Sequence, residues 1–259
     1  MWVPDGAGNR LARSREMRIK LIVEYDGTDF HGFQRQPGKR TVDRVLEEAI
    51  SRVTGEEVRV IGAGRTDAGV HALGQVVAFD TRATIPPERY CPAINSFLPA
   101  DVRIVSSEET APDFHPRYQA RRKTYRYLVY RQAAGYTLYR RYAHLYTGEL
   151  DVNLIKEGIR YTTGRHDFRG FMAAGSAVQD TVRTVCQFTA EENMPWLKFE
   201  ITGDGFLYKM VRNLVGTLLE IGRGAMSLEQ LEKVMRTGDR TLAGPTAPAC
   251  GLYLVKVDY

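Results

Sequence analysis

The sequence predicts an α+β fold made of two ferredoxin-like, RNA-recognition-like halves. Three observations lead there. Residues 17–106 carry strand and helix signals in the order β-α-β-β-α-β, the split βαβ pattern. Residues 123–259 run through a similar order without repeating the residues themselves, so the likeness is one of architecture. The chain has 259 residues, 43% of them apolar, which is ample for a sizeable core.

Met17–Tyr25, rich in Ile, Leu and Val, reads as the first strand. A helix follows in TVDRVLEEAISRVTG. Val42, Val45, Leu46, Ala49, Ile50 and Val53 share one face, Thr41 stands at the cap, and Gly55 ends it. Val58–Ile61 and Gln75–Thr81 read as strands. Pro87–Leu98 reads as a helix with proline in its first turn, and Val102–Ser106 as a strand. In the second half, Lys123–Tyr130 alternates as a strand and Asp151–Thr162 reads as a helix. Thr181–Glu191 and Trp196–Thr202 are strands. Phe206–Ile221 is a long helix whose buried stripe runs through Leu207, Met210, Val211, Leu214, Val215, Leu218 and Leu219. Ser227 and Gln230 form a capping box ahead of another helix, and Leu252–Tyr259 closes the chain as a strand. The organisation is a flexible basic leader over residues 1–16, an N-terminal α+β half over 17–115 that carries the glycine-rich loop, and a C-terminal α+β half over 116–259.

Composition narrows the class. A net charge of +5 is compatible with an anionic partner without proving one. The three cysteines, Cys91, Cys186 and Cys250, are far apart and form no C-x-x-C pair. That argues against a disulfide framework or a structural zinc site and for a reducing, cytoplasmic setting. No apolar run reaches the ~20 residues of a membrane span. The first residues lack the apolar stretch of a secretory signal, and Met17 is a candidate working start. The five histidines, His31, His71, His115, His144 and His166, show no H-x-x-x-H or H-E-x-x-H spacing, so no metal site is expected.

The stretch GAGRTDAGVHALGQVVAFD (62–80) is the most informative. As a dinucleotide fingerprint it fails at the third glycine, where Asp67 would face the pyrophosphate, and no helix follows. As a Walker loop it lacks the closing G-K-[ST]. Two readings remain. One is a glycine-rich hairpin, with Gly62, Gly64 and Gly69 permitting sharp turns and Asp67 as a turn acceptor. The other is a loop that presents Arg65, Asp67 and His71, in which a cation close to Asp67, Arg65 at i−2 being the candidate, keeps the carboxylate ionised and oriented for nucleophilic or general-base work.

The motif GRTDAGVHALGQV resembles the active-site motif of the TruA family of tRNA pseudouridine synthases. YDGTDFHGFQRQ (25–36), ARRKTYRYLVY (120–130), HDFRGF (166–171), GDGFLYKMVRNLVGTLLEIGRG (203–224) and APACGLYLVKVDY (247–259) resemble its other segments in order. Together they span residues 17–259, leaving only the leader outside the pattern. The resemblance implies the pseudouridine synthase fold, with a mixed, mainly antiparallel central sheet and a cleft between the halves. It implies isomerisation of uridines 38, 39 and 40 of the tRNA anticodon stem-loop, an isomerase reaction with no cofactor and no metal, and a homodimer. It also implies roles for single residues: Asp67 as the nucleophilic aspartate, Arg65 as the residue that helps evert the target nucleotide, and Tyr125 as the ring that stacks on the base. Arg212 would be the basic partner of the aspartate and Leu252 the aliphatic residue under the base.

The residues are consistent with that chemistry. Converting uridine to pseudouridine breaks the N-glycosidic bond and joins C5 of the ring to the same sugar carbon. No group is imported. The site must extract a stacked base, which costs a few kcal/mol, retain the detached ring, and supply one carboxylate. Asp67 can attack the anomeric carbon, add to C6 of the ring, or take a sugar proton. Tyr125 and Tyr127 fall on the same face of one strand, and one of them can be core. Read alone, Arg212 can also be a snorkelling arginine at a helix edge. The basic run Arg117, Arg121, Arg122, Lys123 and Arg126 and the pair Arg140–Arg141 read as RNA grip, because tyrosines interleave them. His71 is placed with the substrate-binding residues, and the segment 115–117 is expected to line the same cleft.

Overall fold

The computed structural model describes residues 15–176 and 178–259. The leader read over residues 1–16 therefore lies outside the described residues except for its last two. The chain order is β1 (Met17–Tyr25), α1 (Val42–Thr54), β2 (Ile61–Gly62), β3 (His71–Thr81), α2 (Tyr90–Asn95), β4 (Val102–Thr110), β5 (Arg122–Tyr130), α3 (Tyr136–Tyr139), β6 (His144–Leu145), α4 (Val152–Tyr161), β7 (Gly164–Asp167), β8 (Val182–Asn193), β9 (Trp196–Gly203), α5 (Met210–Gly222), α6 (Leu228–Thr237) and β10 (Leu252–Asp258). All strands join one sheet in the order β4-β1-β3-β10-β5-β9-β8-β7, with β2 also on β3 and β6 also on β5. The pairings are antiparallel except β10 with β3 and β5 with β6.

The strand order explains the ferredoxin-like reading. The first four strands lie as β4-β1-β3-β2, and a second set lies as β10-β5-β9-β8. Each is the antiparallel arrangement that a split βαβ repeat produces. The sets meet where Tyr253 and Leu254 of β10 run parallel to His71 and Ala72 of β3. The last strand of the chain is thus at the centre of the sheet, beside the strand that leaves the glycine-rich loop.

One face of the sheet shares a core with α1, α2, α4, α5 and α6. Ile19, Leu21, Val23 and Tyr25 of β1 point into it, as period-two alternation requires. On the other face, Val76 and Ala78 meet Ala63 and Phe114.

Several element boundaries differ from expectation for identifiable reasons. β3 begins at His71, not Gln75, because a bulge between its pairings with Val23 and Tyr25 shifts the side-chain parity, leaving Ala72 and Val77 on the same face. Residues 58–60 are not in the sheet, because the Glu47 carboxylate of α1 accepts the Val60 amide at 3.2 Å. The helix expected over 87–98 is a short 3-10 turn at Pro87–Arg89 followed by α2. It stops at Asn95, whose side-chain amide bonds both backbone groups of Ile104, at 2.8 and 2.9 Å. α5 starts at Met210, four residues later than expected, after Lys209 in the left-handed region at φ 57°. Thr41 stands at the N-cap of α1 but bonds the Asp43 carboxylate at 2.6 Å instead of the helix backbone. Ser227 does cap α6, accepting from the Gln230 amide.

α5 can lie against the segment 245–247 only because Gly216 has no side chain. A Cβ there would stand 1.8 Å from the Pro245 carbonyl oxygen. Gly216→Ala is therefore expected to force the two segments apart and cost roughly 1–3 kcal/mol, read as a lowered urea midpoint with an unchanged m-value.

Candidate active site

A cavity of about 630 Å³ opens between the loop that leads into β3, the strand β5 and the start of α5. Its wall includes Ala63–Asp67 and Val70 from the loop, Lys123 and Tyr125 from β5, Phe206–Val211 before and within α5, and Leu252 from β10. Arg117, Gly175, Ser176 and Val178 complete the rim.

Asp67 lies on this wall and forms an ion pair with Arg212, Oδ2 to Nη1, at 2.9 Å. Both side chains keep a small exposure, 18% for Asp67 and 13% for Arg212, so the carboxylate is screened but reachable. Arg212 belongs to the first turn of α5, not to its middle, since the helix begins at Met210. Its Nε donates to the Ala247 carbonyl at 2.7 Å, and the Ala247 amide donates back to the Arg212 carbonyl at 3.1 Å. The guanidinium is therefore oriented before it meets the carboxylate. Arg65 is exposed on the cavity wall, and among the described residues no ion pair joins it to Asp67. The cation beside Asp67 comes from 145 positions away, not from i−2.

The loop owes its shape to several distant groups. The Phe33 amide donates to the Thr66 carbonyl at 3.1 Å, and the Tyr25 hydroxyl meets Thr66 Oγ1 at 2.8 Å. The Gln75 side chain clasps Gly64, donating to its carbonyl at 2.8 Å and accepting from its amide at 3.3 Å. A turn closes from the Val70 amide to the Asp67 carbonyl at 3.1 Å. Of the three glycines read as turn-formers, only Gly69 is left-handed, at φ 78°, whereas Gly62 makes room for the Phe33 ring.

Tyr125 and Tyr127 share a face of β5 but differ in use. Tyr127 is core, its hydroxyl donating to the Pro248 carbonyl at 2.8 Å. Tyr125 lines the cavity and packs edge-on against Phe206, centroids 5.2 Å apart. Burial pushes its phenol well above the usual range, helped by the nearby Tyr25 and Asp67, so it remains a neutral O–H donor. Leu252, 6% exposed, forms part of the apolar wall.

The remaining expected binding residues separate. Arg117 is on the cavity rim. Arg121 and Arg122 are exposed beside β10 and outside the cavity lining. Arg126 is paired with Glu200 at 2.9 Å and Arg141 with Asp29 at 3.2 Å. Lys123 lines the cavity and is tied to the loop: its Nζ donates to the Ala63 carbonyl at 2.6 Å. Burial, with Arg117 adding to it, lowers its pKa to about 8.

His71, expected among the substrate-binding residues, lies away from the cavity. It is 2% exposed and absent from the cavity wall. The Gly27 amide donates to its Nδ1 at 3.1 Å, so Nε2 carries the proton and donates to the Arg141 carbonyl at 3.0 Å. Tyr253 stacks on the ring at 4.7 Å. Burial pushes the His71 pKa below its usual value despite Asp26 Oδ1 at 3.2 Å. The sequence reading also missed Tyr208 and Lys209. Extending the helix back to Phe206 made them helix surface, although φ > 0 at Lys209 turns this segment into the cavity lip.

Among the described residues, no group of three or more His, Cys, Asp or Glu is arranged to hold a metal ion, and no helix is long and apolar enough to cross a membrane. A family model described as tRNA pseudouridine synthase matches residues 21–119 and 159–259. The chain belongs to this family. Its relatives agree along nearly the whole length. A protein of Syntrophomonas wolfei named tRNA pseudouridine synthase A is 48% identical, over 93% of this chain and 97% of its own. Proteins of the same name from Acetivibrio thermocellus and Streptococcus mutans are 46% and 45% identical, over 93% and 94% of this chain and 99% of their own. Asp67 and Tyr125 thus line one cavity, with Arg212 bonded to Asp67, in a member of the tRNA pseudouridine synthase family.

Two outcomes are expected for this synthase. Arg212→Met leaves the Asp67 carboxylate without its charged donor and should cost about 2 kcal/mol. The Asp67→Asn, Arg212→Met double variant should recover part of that loss in urea unfolding, whereas purely additive losses would mean the two side chains do not interact. His71, and His144 whose pKa burial also lowers, bind a proton more readily when the chain is unfolded. Their contribution is complete above the ordinary value of 6.5 and is lost as pH falls below it. The urea midpoint should drop between pH 7.5 and 5.5, and drop less in His71→Gln.

Proposed function

We propose that this chain isomerises uridines 38, 39 and 40 of the tRNA anticodon stem-loop to pseudouridine, with Asp67 as the reacting carboxylate. The observation that carries the reading is the ion pair that Arg212, outside the lining, makes with Asp67 on the wall of a cavity that Tyr125 and Leu252 also line. The cavity, about 630 Å³, falls within the ~300–1,000 Å³ typical of ligand sites. Arg65, exposed at the mouth, helps draw the target nucleotide from its stack. Tyr125 covers one face of the uracil and Leu252 supports it from below. Stacking of this kind is worth ~1–3 kcal/mol, enough to hold a detached ring.

Arg212 holds the carboxylate in place on the cavity wall. Asp67 then acts on the sugar or on the ring. The N1–C1′ bond breaks, the uracil turns within the pocket, C5 bonds to C1′, and the C5 proton leaves while N1 gains one. Atoms and charge balance within the nucleotide, so the reaction draws on no redox group or metal ion. Arg117, Arg121 and Arg122 provide phosphate contacts, which makes binding strongly salt-dependent. The reading includes residues 17–115 and 116–259 as the two halves flanking the cleft, a homodimer in which one tRNA touches both subunits, and a cytoplasmic setting.

The test is conversion of unmodified tRNA in buffer containing EDTA, with pseudouridine mapped by position. Wild type should convert positions 38, 39 and 40. Asp67→Ala should convert none while binding tRNA within about threefold of wild type. Binding without conversion by the wild type would leave an RNA-binding module in place of an enzyme. Conversion only at other uridines would refute the substrate assignment.

A further inference from the structure

The backbone of the catalytic loop is held by side chains that do not touch the carboxylate. Ala63 is fully buried, and its amide donates to the Val76 carbonyl at 2.8 Å. Its carbonyl accepts the Lys123 ammonium at 2.6 Å. The neighbouring Gly64 lies in the Gln75 clasp. A Cβ placed on Gly64 would lie 3.7 Å from Lys123 Nζ and 3.8 Å from the Tyr125 hydroxyl. The ammonium, the phenol and the loop backbone therefore meet at one point, two residues apart on β5 and three before Asp67.

We propose that Lys123 is a positioning residue for isomerisation: its charged ammonium, bonded to the Ala63 carbonyl, fixes residues 63–67 where Asp67 meets the cavity, and turnover requires that charge. This rests on the reading of Asp67 as the reacting group. A neutral amine still fits the site but gives a weaker bond, because hydrogen bonds from a charged donor are about twice as strong as neutral ones. The other charged or titratable groups around it do not substitute. Arg117 opposes the charge across the cavity, the Asp67 carboxylate is committed to Arg212, Arg65 and Lys209 are cations on the same wall, and the phenols of Tyr25 and Tyr125 are held neutral by burial. With its pKa lowered to about 8, the ammonium is present below that pH and lost above it.

The experiment compares wild type, Lys123→Met and Lys123→Arg on saturating tRNA from pH 6.5 to 9.5, with KM measured at several salt concentrations. Amide hydrogen exchange of residues 62–68 is followed at one pH. Wild-type kcat should fall above about pH 8. Lys123→Met should lose about 100-fold in kcat, the scale of a misplaced reacting group. Its KM and the salt dependence of KM should stay unchanged, its loop amides should exchange faster, and it should show no alkaline fall. Lys123→Arg, charged throughout, should keep more activity than Lys123→Met and also lack the alkaline fall. The proposal is overturned if Lys123→Met keeps wild-type kcat, or if it raises KM and flattens the salt dependence, which would make Lys123 a phosphate contact. If Lys123→Met does not fold, an alkaline fall in Lys123→Arg equal to that of wild type overturns it. A wild type that makes no pseudouridine refutes the role of Asp67 instead, and the exchange difference still reports on the lysine contact alone.

Discussion

The ion pair between Asp67 and Arg212 organises this molecule. A carboxylate in a partly dry cavity costs free energy unless a cation and hydrogen bonds compensate it. The cation here arrives from the first turn of α5, and that turn is placed by its own contacts with the segment 245–247. Gly216 lets that segment approach, Ala247 fixes the guanidinium, and Leu252 a few residues later enters the cavity wall. One side-chain contact thus depends on a helix start, a glycine contact and the central strand together.

The sheet topology supports the same end. β10 runs beside β3 and β5, so the strand that follows the reactive loop, the strand that carries Tyr125 and the strand that starts with Leu252 are neighbours. Residues from three parts of the chain thereby line one cavity. The loop itself is held by Tyr25, Phe33, Gln75 and Lys123, all anchored on regular elements or packed against them. That is the arrangement a reacting group needs, since positional error is paid for in rate.

The buried His71 and the half-buried Lys123 show how residue type alone leaves a side chain's contacts open. His71 and Lys123 have side chains that often serve substrates, and both occur in motifs quoted for their chemistry. Each is turned toward backbone instead: His71 between the Gly27 amide and the Arg141 carbonyl, Lys123 onto the Ala63 carbonyl. Their polar atoms satisfy main-chain groups that would otherwise be buried without partners.

The sequence by itself determined the elements whose signals are local. β1 begins and ends where its apolar run does, α1 stops at Gly55 in the left-handed region, and α6 is capped by Ser227 as its box indicates. Its ordered motifs also carried the likeness to the tRNA pseudouridine synthases, a family whose model matches residues 21–119 and 159–259. Local reading put Arg65 beside Asp67 and the family resemblance implied Arg212; the tertiary structure has Arg212 in the pair, and it alone decided that Tyr127 fills the core and that α5 begins after Lys209. The reason is one of range. Periodicity and caps act over a few residues, whereas a charge pair or a strand bulge is chosen by what the rest of the chain brings alongside.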